Sequence, residues 1–371
     1  MLTITSGNLL QADAEALVNT VNCVGHMGKG IALQFKKAFP ENCKAYERAC
    51  RAGEVQPGRM FVFPTGSHVN PKFIINFPTK RHWRENSRLE DIDAGLDALV
   101  NEVRRLGIAS IAVPPLGCGL GGLDWRDVRP RIERAFAQLS AVGVALFEPT
   151  GAPAPSEMPV GTPRPHWTVA RALFVGLMRQ YSAMAYRLTL LEIQKLAYFL
   201  QEAGETLRLK YEPHIYGPYA HNLNKVLEVM EGHFIRGYGD SQRPDVEIEL
   251  LPGAAEEAEQ FLADHAASAA RMRRVAEVIE GFETPYGMEM LASVHWVDVH
   301  GTSPATSAAE CVAAIQGWTD RKRAMFKPEH VGIAWRTRRS RSSAGPAPTA
   351  SRGRSTSTAC GRRSRKSSSS T

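Results

Sequence analysis

Two glycine-rich segments and one lysine hold the residue types from which chemistry could be built. The first segment is Asn19-Thr-Val-Asn22-Cys-Val-Gly25-His-Met-Gly28-Lys-Gly30 and the second Pro114-Pro115-Leu116-Gly117-Cys118-Gly119-Leu120-Gly121-Gly122. Each follows a strand-like run and opens a helix-like one. Glycines there let backbone N–H groups approach an anion, and a helix N-terminus favours negative charge. One such loop is often only a tight turn. Two at the carboxyl ends of parallel strands form one crevice, and a pyrophosphate held between two backbone nests is the expected ligand class. Neither loop ends in the Gly-Lys-[Ser/Thr] of a Walker A motif, and neither has dinucleotide GxGxxG spacing in its usual place. Lys80 follows the apolar run Phe73–Phe77 through Pro78, with Arg81 and Arg84 close by. Neighbouring cations would lower its pKa and supply free amine for attack. An ordinary exposed lysine at a strand end is the alternative. Lys80-Arg81-His82-Trp83-Arg84, followed by Arg88, also has the makings of a single-strand platform, with cations for phosphates and Trp83 for a base. A solvated loop whose Trp anchors in the core is equally compatible. His26 and Cys118 invite a Cys–His nucleophile, but no group to orient the base is visible.

The elements needed to position these residues follow from periodicity. Strands are predicted at Leu2–Thr5, Ala16–Val21, Arg59–Phe63, Phe73–Phe77, Ser110–Val113 and Val142–Phe147. Helices are predicted at Gly30–Ala38, Pro40–Ala52, Leu89–Leu106 and Trp125–Leu139. In the third helix, Leu89, Ile92, Leu96, Leu99, Val103 and Leu106 build one apolar face. Asp124 is the expected N-cap of the fourth. Such alternation predicts a three-layer α/β/α domain around a mainly parallel sheet. Beyond a stretch with six prolines, helical spacing dominates at Trp167–Ser182, Thr189–Ala203, Leu223–Met230, Ala254–His265 and Ala270–Phe282. The expected organisation is an α/β domain over 1–150, a semi-extended Pro-rich linker over 151–165, a mostly α-helical domain over 166–335, and a disordered Arg/Ser-rich tail over 336–371.

Residues 1–148 resemble a macrodomain, the α/β/α fold that binds ADP-ribose. The resemblance is carried by Gly7-Asn8-Leu9-Leu10, Ala16-Leu-Val-Asn19-Thr-Val-Asn22, the Gly25–Gly30 loop and Pro115-Leu-Gly-Cys-Gly-Leu120. Gly28-Lys-Gly-Ile-Ala32 and Asn76-Phe-Pro-Thr-Lys80 resemble the branch that hydrolyses ADP-ribose esters and nucleobase conjugates, and within it the DarG-type antitoxins. That resemblance implies removal of ADP-ribose from thymidine in single-stranded DNA, where a DarT-type toxin places it. It implies that Asn8 and Leu9 hold the adenine and that Asn22 faces the distal ribose. Gly28, Gly30 and Ile31 would line the diphosphate and distal ribose. Gly117, Cys118, Gly119, Leu120 and Gly121 would close over the phosphates from the other side. Lys80 matches the branch's catalytic lysine; on the single-strand reading of its own residues, Arg81, Trp83 and Arg84 would meet the DNA. Attack of the Lys80 amine on the anomeric carbon would give a lysine–ribose adduct that water resolves; a protonated Lys80 acting electrostatically is the competing role. No cofactor and no metal is implied. Two departures matter. Asn8 replaces the Asp of many macrodomains, and Gly121 stands where the related eukaryotic ester hydrolase carries a catalytic Asp. Asp124, three residues on, fits a helix cap better.

Thr189-Leu-Leu-Glu-Ile-Gln194-Lys195-Leu-Ala-Tyr198 and His214-Ile-Tyr216-Gly217-Pro218-Tyr219-Ala220 resemble the helical antitoxin domain called Panacea or SocA-like. This implies binding and neutralisation of the cognate DarT-type toxin. Residues 240–289 hold twelve acids and four arginines. They could occupy a toxin's basic DNA-binding face, although most charge runs are simply solvated. A hydrolase of protein ADP-ribose esters and a non-catalytic ADP-ribose reader remain alternatives for the first domain.

The formal charge is +7, which taken whole suggests a nucleic-acid binder. Its distribution argues otherwise. Residues 336–371 carry nine Arg, one Lys and no acid, residues 1–150 hold 18 bases and 15 acids, and residues 151–335 hold 17 bases and 23 acids. No apolar run reaches the roughly 20 residues of a membrane span. The six cysteines lack CxxC or Cys/His spacing, and a cytoplasmic protein without disulfides or structural zinc is expected.

Overall fold

A computed structural model describes residues 1–149, 158–182, 188–239, 247–301 and 303–343. The first part alternates strand and helix as expected: β1 (Leu2–Thr5), β2 (Ala16–Asn22), α1 (Gly30–Ala38), α2 (Pro40–Arg51), β3 (Phe61–Pro64), β4 (Phe73–Lys80), α3 (Leu89–Leu106), β5 (Ser110–Val113), α4 (Trp125–Phe136) and β6 (Gly143–Phe147). One six-stranded sheet has the order β1-β6-β5-β2-β4-β3. Only β3 runs antiparallel to its neighbour. Apolar side chains from α3 and α4 cover one face, with Ile92, Leu96, Leu99, Val128 and Ile132 buried against Val18, Ile75 and Val113. Leu17, Phe35 and Ile74 belong to a separate core cluster.

β4 extends three residues past the predicted end and carries Pro78 inside it. Its pairing explains how. β3 stops at Phe61, opposite Asn76, so from Pro78 onward β4 has only β2 beside it. A proline is tolerated where one edge of a strand is unpaired. The result is that Lys80 stands at the sheet's carboxyl end, opposite Asn22 of β2.

The second part holds α5 (Val169–Ser182), α6 (Leu190–Glu202), a hairpin of β7 (Tyr211–His214) and β8 (Gly217–Ala220), α7 (Leu223–Met230), a two-residue pair of β9 (Ile235–Arg236) and β10 (Glu249–Leu250), then α8 (Ala254–Ala263), α9 (Ala266–Ile279), α10 (Pro285–Val299), α11 (Ala308–Trp318), α12 (Asp320–Met325) and α13 (Pro328–Ser343). Thr189 and Glu192 form a reciprocal capping box at the start of α6. α10 is central: nine of its residues, from Gly287 to Val297, are buried. No described helix is long and apolar enough to cross a membrane.

One sequence expectation needs correction and another gains detail. The segment 158–165 has neither helix nor strand, and it touches both parts: the Gly161 and Thr162 amides donate to the Lys37 carbonyl at 2.7 and 3.2 Å and Thr162 Oγ1 meets His233 Nε2 at 2.8 Å. The remainder of the expected linker, 151–157, lies outside the described residues. The expected start of the tail at Arg336 is the correction. α13 continues through Ser343, since Arg338 pairs with the buried Asp298 and Arg341 donates to the carbonyls of Val278 and Glu280 at 3.0 and 2.7 Å. Residues 344–371 lie outside the described residues.

Candidate active site

The first glycine-rich loop follows β2 and the second follows β5, and these strands are neighbours. Both loops therefore open on one cavity of about 960 Å³ at the sheet's carboxyl end. Asn8, Leu9, Asn22, Gly28, Gly30, Ile31, Lys80, Gly117, Gly119, Leu120 and Gly121 line it, together with Trp83 and Arg84.

Asn22 is the organiser of the first loop. Its Oδ1 accepts from the Val24 and His26 amides at 3.0 and 3.3 Å and from the Tyr46 hydroxyl at 3.2 Å, while its Nδ2 donates to the His26 carbonyl at 2.6 Å. One amide hydrogen remains for a ligand. Asn8 has a similar double duty: its Oδ1 caps the short turn Leu9–Gln11 by accepting from the Leu10 amide at 3.0 Å. The Gly30 amide donates to the Gly239 carbonyl at 2.5 Å, so an approaching anion would compete with that carbonyl.

Lys80 Nζ donates to the Leu120 carbonyl, which ties the end of β4 to the second loop. Burial pushes its pKa below the ordinary lysine value. The direction is the expected one but the cause is different: Arg81 turns away to pair with Asp91 at 3.0 Å. Arg81 does not line the cavity. Trp83 does, and it is 37% exposed rather than anchored in the core. His82 stacks on it at 5.4 Å, His26 lies at 5.7 Å and the Arg84 guanidinium at 4.6 Å. The sequence offered His26 only as half of a Cys–His pair; its ring joins this cluster instead.

Cys118 also falls outside the cavity. Its Sγ points to the Leu116 carbonyl at 3.5 Å, it packs against the core under α3 and α4, and burial raises its thiol to about 11. No described hydrogen bond joins it to His26. Gly121 cannot be exchanged for the Asp of the eukaryotic ester hydrolase without moving backbone, because a Cβ there would overlap Ser87 Oγ and the Gly117 carbonyl. Asp124 caps α4 through the Arg126 amide at 2.8 Å, and its pairing with Arg126 lowers its carboxyl to about 2. Lys80 therefore has no carboxylate partner on this loop. Among the described residues, no group of three or more His, Cys, Asp or Glu could hold a metal ion.

The arrangement is a glycine-walled trough with a half-buried amine in its lining. Residues 18–132 match the family model of the Macro domain. Over 335 residues the chain is 48% identical to a DNA ADP-ribosyl glycohydrolase of Thermus aquaticus, covering 90% of this chain and 92% of that one. Over 351 residues it is 46% identical to the DNA ADP-ribosyl glycohydrolase of Mycobacterium tuberculosis, covering 90% and 98%. Among solved structures, the macrodomain of Mycobacterium tuberculosis DarG is 61% identical, with a TM-score of 0.40, and covers 40% of this chain and 99% of that one.

Proposed function

The chain belongs to the DNA ADP-ribosyl glycohydrolase family, and from that membership we propose that it releases ADP-ribose from thymidine in single-stranded DNA with Lys80 as the catalytic residue. The observation that carries the reading is the position of the Lys80 amine, in the same cavity as both glycine-rich loops and desolvated toward its neutral form. ADP-ribose would lie along the trough. Asn8 and Leu9 would take the adenine, Gly117, Gly119, Leu120 and Gly121 the diphosphate, and Asn22, Gly28, Gly30 and Ile31 the distal ribose.

The neutral amine attacks the anomeric carbon of that ribose, and the bond from this carbon to the base nitrogen breaks. The bonding pair leaves with the base, which takes up a proton. Lysine and ribose are then joined through nitrogen. The nitrogen lone pair opens the ribose ring, whose oxygen takes up the proton left on nitrogen, and a Schiff base results. Water adds to its carbon, the carbon–nitrogen bond breaks, the ring recloses, and free ADP-ribose departs with the amine restored. The Leu120 carbonyl accepts a hydrogen from Nζ and leaves its lone pair available. A protonated lysine would instead act only as a fixed charge, and the burial that disfavours it is the reason to prefer the amine.

The test is release of ADP-ribose from a modified single-stranded oligonucleotide by the protein and by Lys80→Ala. The variant should be slower by about 10²–10⁴-fold. Equal rates would remove Lys80 from the mechanism.

The second role is toxin neutralisation, with a DarT-type enzyme as partner. Glu256, Glu259, Asp264, Glu277 and Glu280 are exposed on or beside α8 and α9, and a basic DNA-binding face would be complementary to them. Full-length protein carrying Glu256→Lys and Glu277→Lys should inhibit the toxin's DNA modification less than the parent does. Undiminished inhibition would place the contact elsewhere.

A further inference from the structure

The cavity over Lys80 has a wall that the first 149 residues do not supply. Tyr219, His221, Asn224, Lys225 and Glu228, from β8, α7 and the turn between them, line it together with the glycine loops. Its volume lies near the top of the range for ligand sites, about 300–1,000 Å³. That leaves room for more than one nucleotide-sized group.

The wall is held in place by contacts beside the cavity. Lys36 of α1 pairs with Glu228, and Lys37 Nζ reaches the Val229 carbonyl at 3.3 Å. Lys29 Nζ lies 3.6 Å from the centroid of the Tyr238 ring. Leu33 of α1 is buried in the core formed by α5–α13. The helical part is therefore seated on α1, at the very helix whose N-terminus borders the cavity.

The two parts bring matching chemistry to the cavity. The first supplies the Trp83 ring, His26 and Arg84. In the second, the Tyr219 ring has His221 edge-on at 4.9 Å and His214 at 5.3 Å, and Asn224 Nδ2 donates to the Tyr219 hydroxyl at 3.0 Å. Lys225 is 68% exposed. The lining carboxylates are Glu228 and Glu148. Glu228 is shared by Lys36 and Lys225, and Glu148 lies 3.6 Å from Arg129. Lys29, Arg84 and Lys225 thus leave the cavity net positive even with Lys80 neutral, and rings line it. Cations with interleaved rings are what a single strand needs, because every phosphate is an anion and every base has a face to stack.

We propose that the helical part completes the substrate site, with Tyr219, His221 and Lys225 holding the DNA strand on either side of the modified nucleotide. This rests on the glycohydrolase reading of Lys80 and extends it to residues outside the macrodomain.

Two substrates separate strand contacts from the reaction itself: an ADP-ribosylated single-stranded oligonucleotide, and the ADP-ribose conjugate of thymidine without flanking phosphates. The His221→Ala, Lys225→Ala double variant should raise KM for the oligonucleotide about tenfold, and raise it several-fold more than for the nucleoside conjugate. The slope of log KM against log salt should fall by about 0.7, because one phosphate is no longer neutralised by the Lys225 ammonium. Lys225→Arg should recover most of the loss. Lys327→Ala removes the same charge outside the cavity and should behave as wild type. An unchanged oligonucleotide KM and salt slope in the double variant would overturn the proposal, and so would an equal rise on both substrates. If wild type releases ADP-ribose from neither, the glycohydrolase reading fails first. Affinity for the modified strand then decides this inference: unchanged affinity in the double variant overturns it, and a tenfold loss supports it.

Discussion

An amine that attacks carbon must first lose its proton, and in Lys80 burial brings that state closer. Because burial lowers the pKa, the neutral fraction grows with pH below the range of an exposed lysine. The rate at saturating substrate should therefore rise with pH and level off before an ordinary lysine would titrate; a rate that falls through the same window would assign Lys80 the charged role. Cyanoborohydride added during turnover should trap ADP-ribose on Lys80, detectable as a mass increase on the peptide that contains it. Absence of the adduct in an active reaction would exclude the covalent route. Gly121→Ala should cost about 1–3 kcal/mol in urea unfolding, because its Cβ meets Ser87 and the Gly117 carbonyl. The positions of Asn22, Gly28 and Lys80 around one crevice were legible from two loops and a strand end. The direction of Cys118 was not, since a tight turn sends adjacent side chains to opposite sides. Nor was the pairing of Arg81, whose partner Asp91 sits on the following helix where spacing gives no hint of it.

At the scale of elements, α1 does two things at once: its first turn borders the cavity over Lys80 and its outer face carries the helical part. Glu228 shows how this contact responds to pH. Burial pushes its carboxyl up, but hydrogen bonding and charge from Lys36 and Lys225 outweigh that and hold it below the usual range. A depressed carboxylate contributes stability that is fully present above its unfolded value, about 4.3, and is lost as pH falls through the folded one. Lys36→Ala should then lower stability at neutral pH by about 1–3 kcal/mol and make the remaining stability less sensitive to acid. Equal acid sensitivity in both proteins would show that Glu228 does not report the contact. The sequence signalled α1, α3 and α7 to the residue, because each has one apolar stripe beside polar faces. It held no such signal for α10, which is apolar nearly all round because neighbouring helices enclose it. α13 was hidden for the opposite reason. Its end has the Arg/Ser composition of a solvated tail, yet Trp335 is overlain by Arg339 at 4.6 Å and Arg338 satisfies Asp298.

The whole molecule can be divided at its carboxyl end in two instructive ways. A chain ending at Trp335 loses both arginines on Asp298, whose side chain is only 4% exposed, and should lose about 3–5 kcal/mol. A chain ending at Ser343 keeps them and should unfold at the urea midpoint of the full protein. If the shorter chain is equally stable, Asp298 has found another partner. The +7 of the full sequence is thus a poor guide to its surfaces: part of the basic excess is structural, and the positive charge at the cavity is local to Lys29, Arg84 and Lys225. Leu33 has a last consequence. It is joined by covalent bonds to the macrodomain and by burial to the other core, so the two parts recognise each other as well as being connected. Fragments 1–149 and 158–343, produced as separate chains and mixed, should therefore reassemble, and Leu33→Asp should abolish that complementation by placing a charge in the seam.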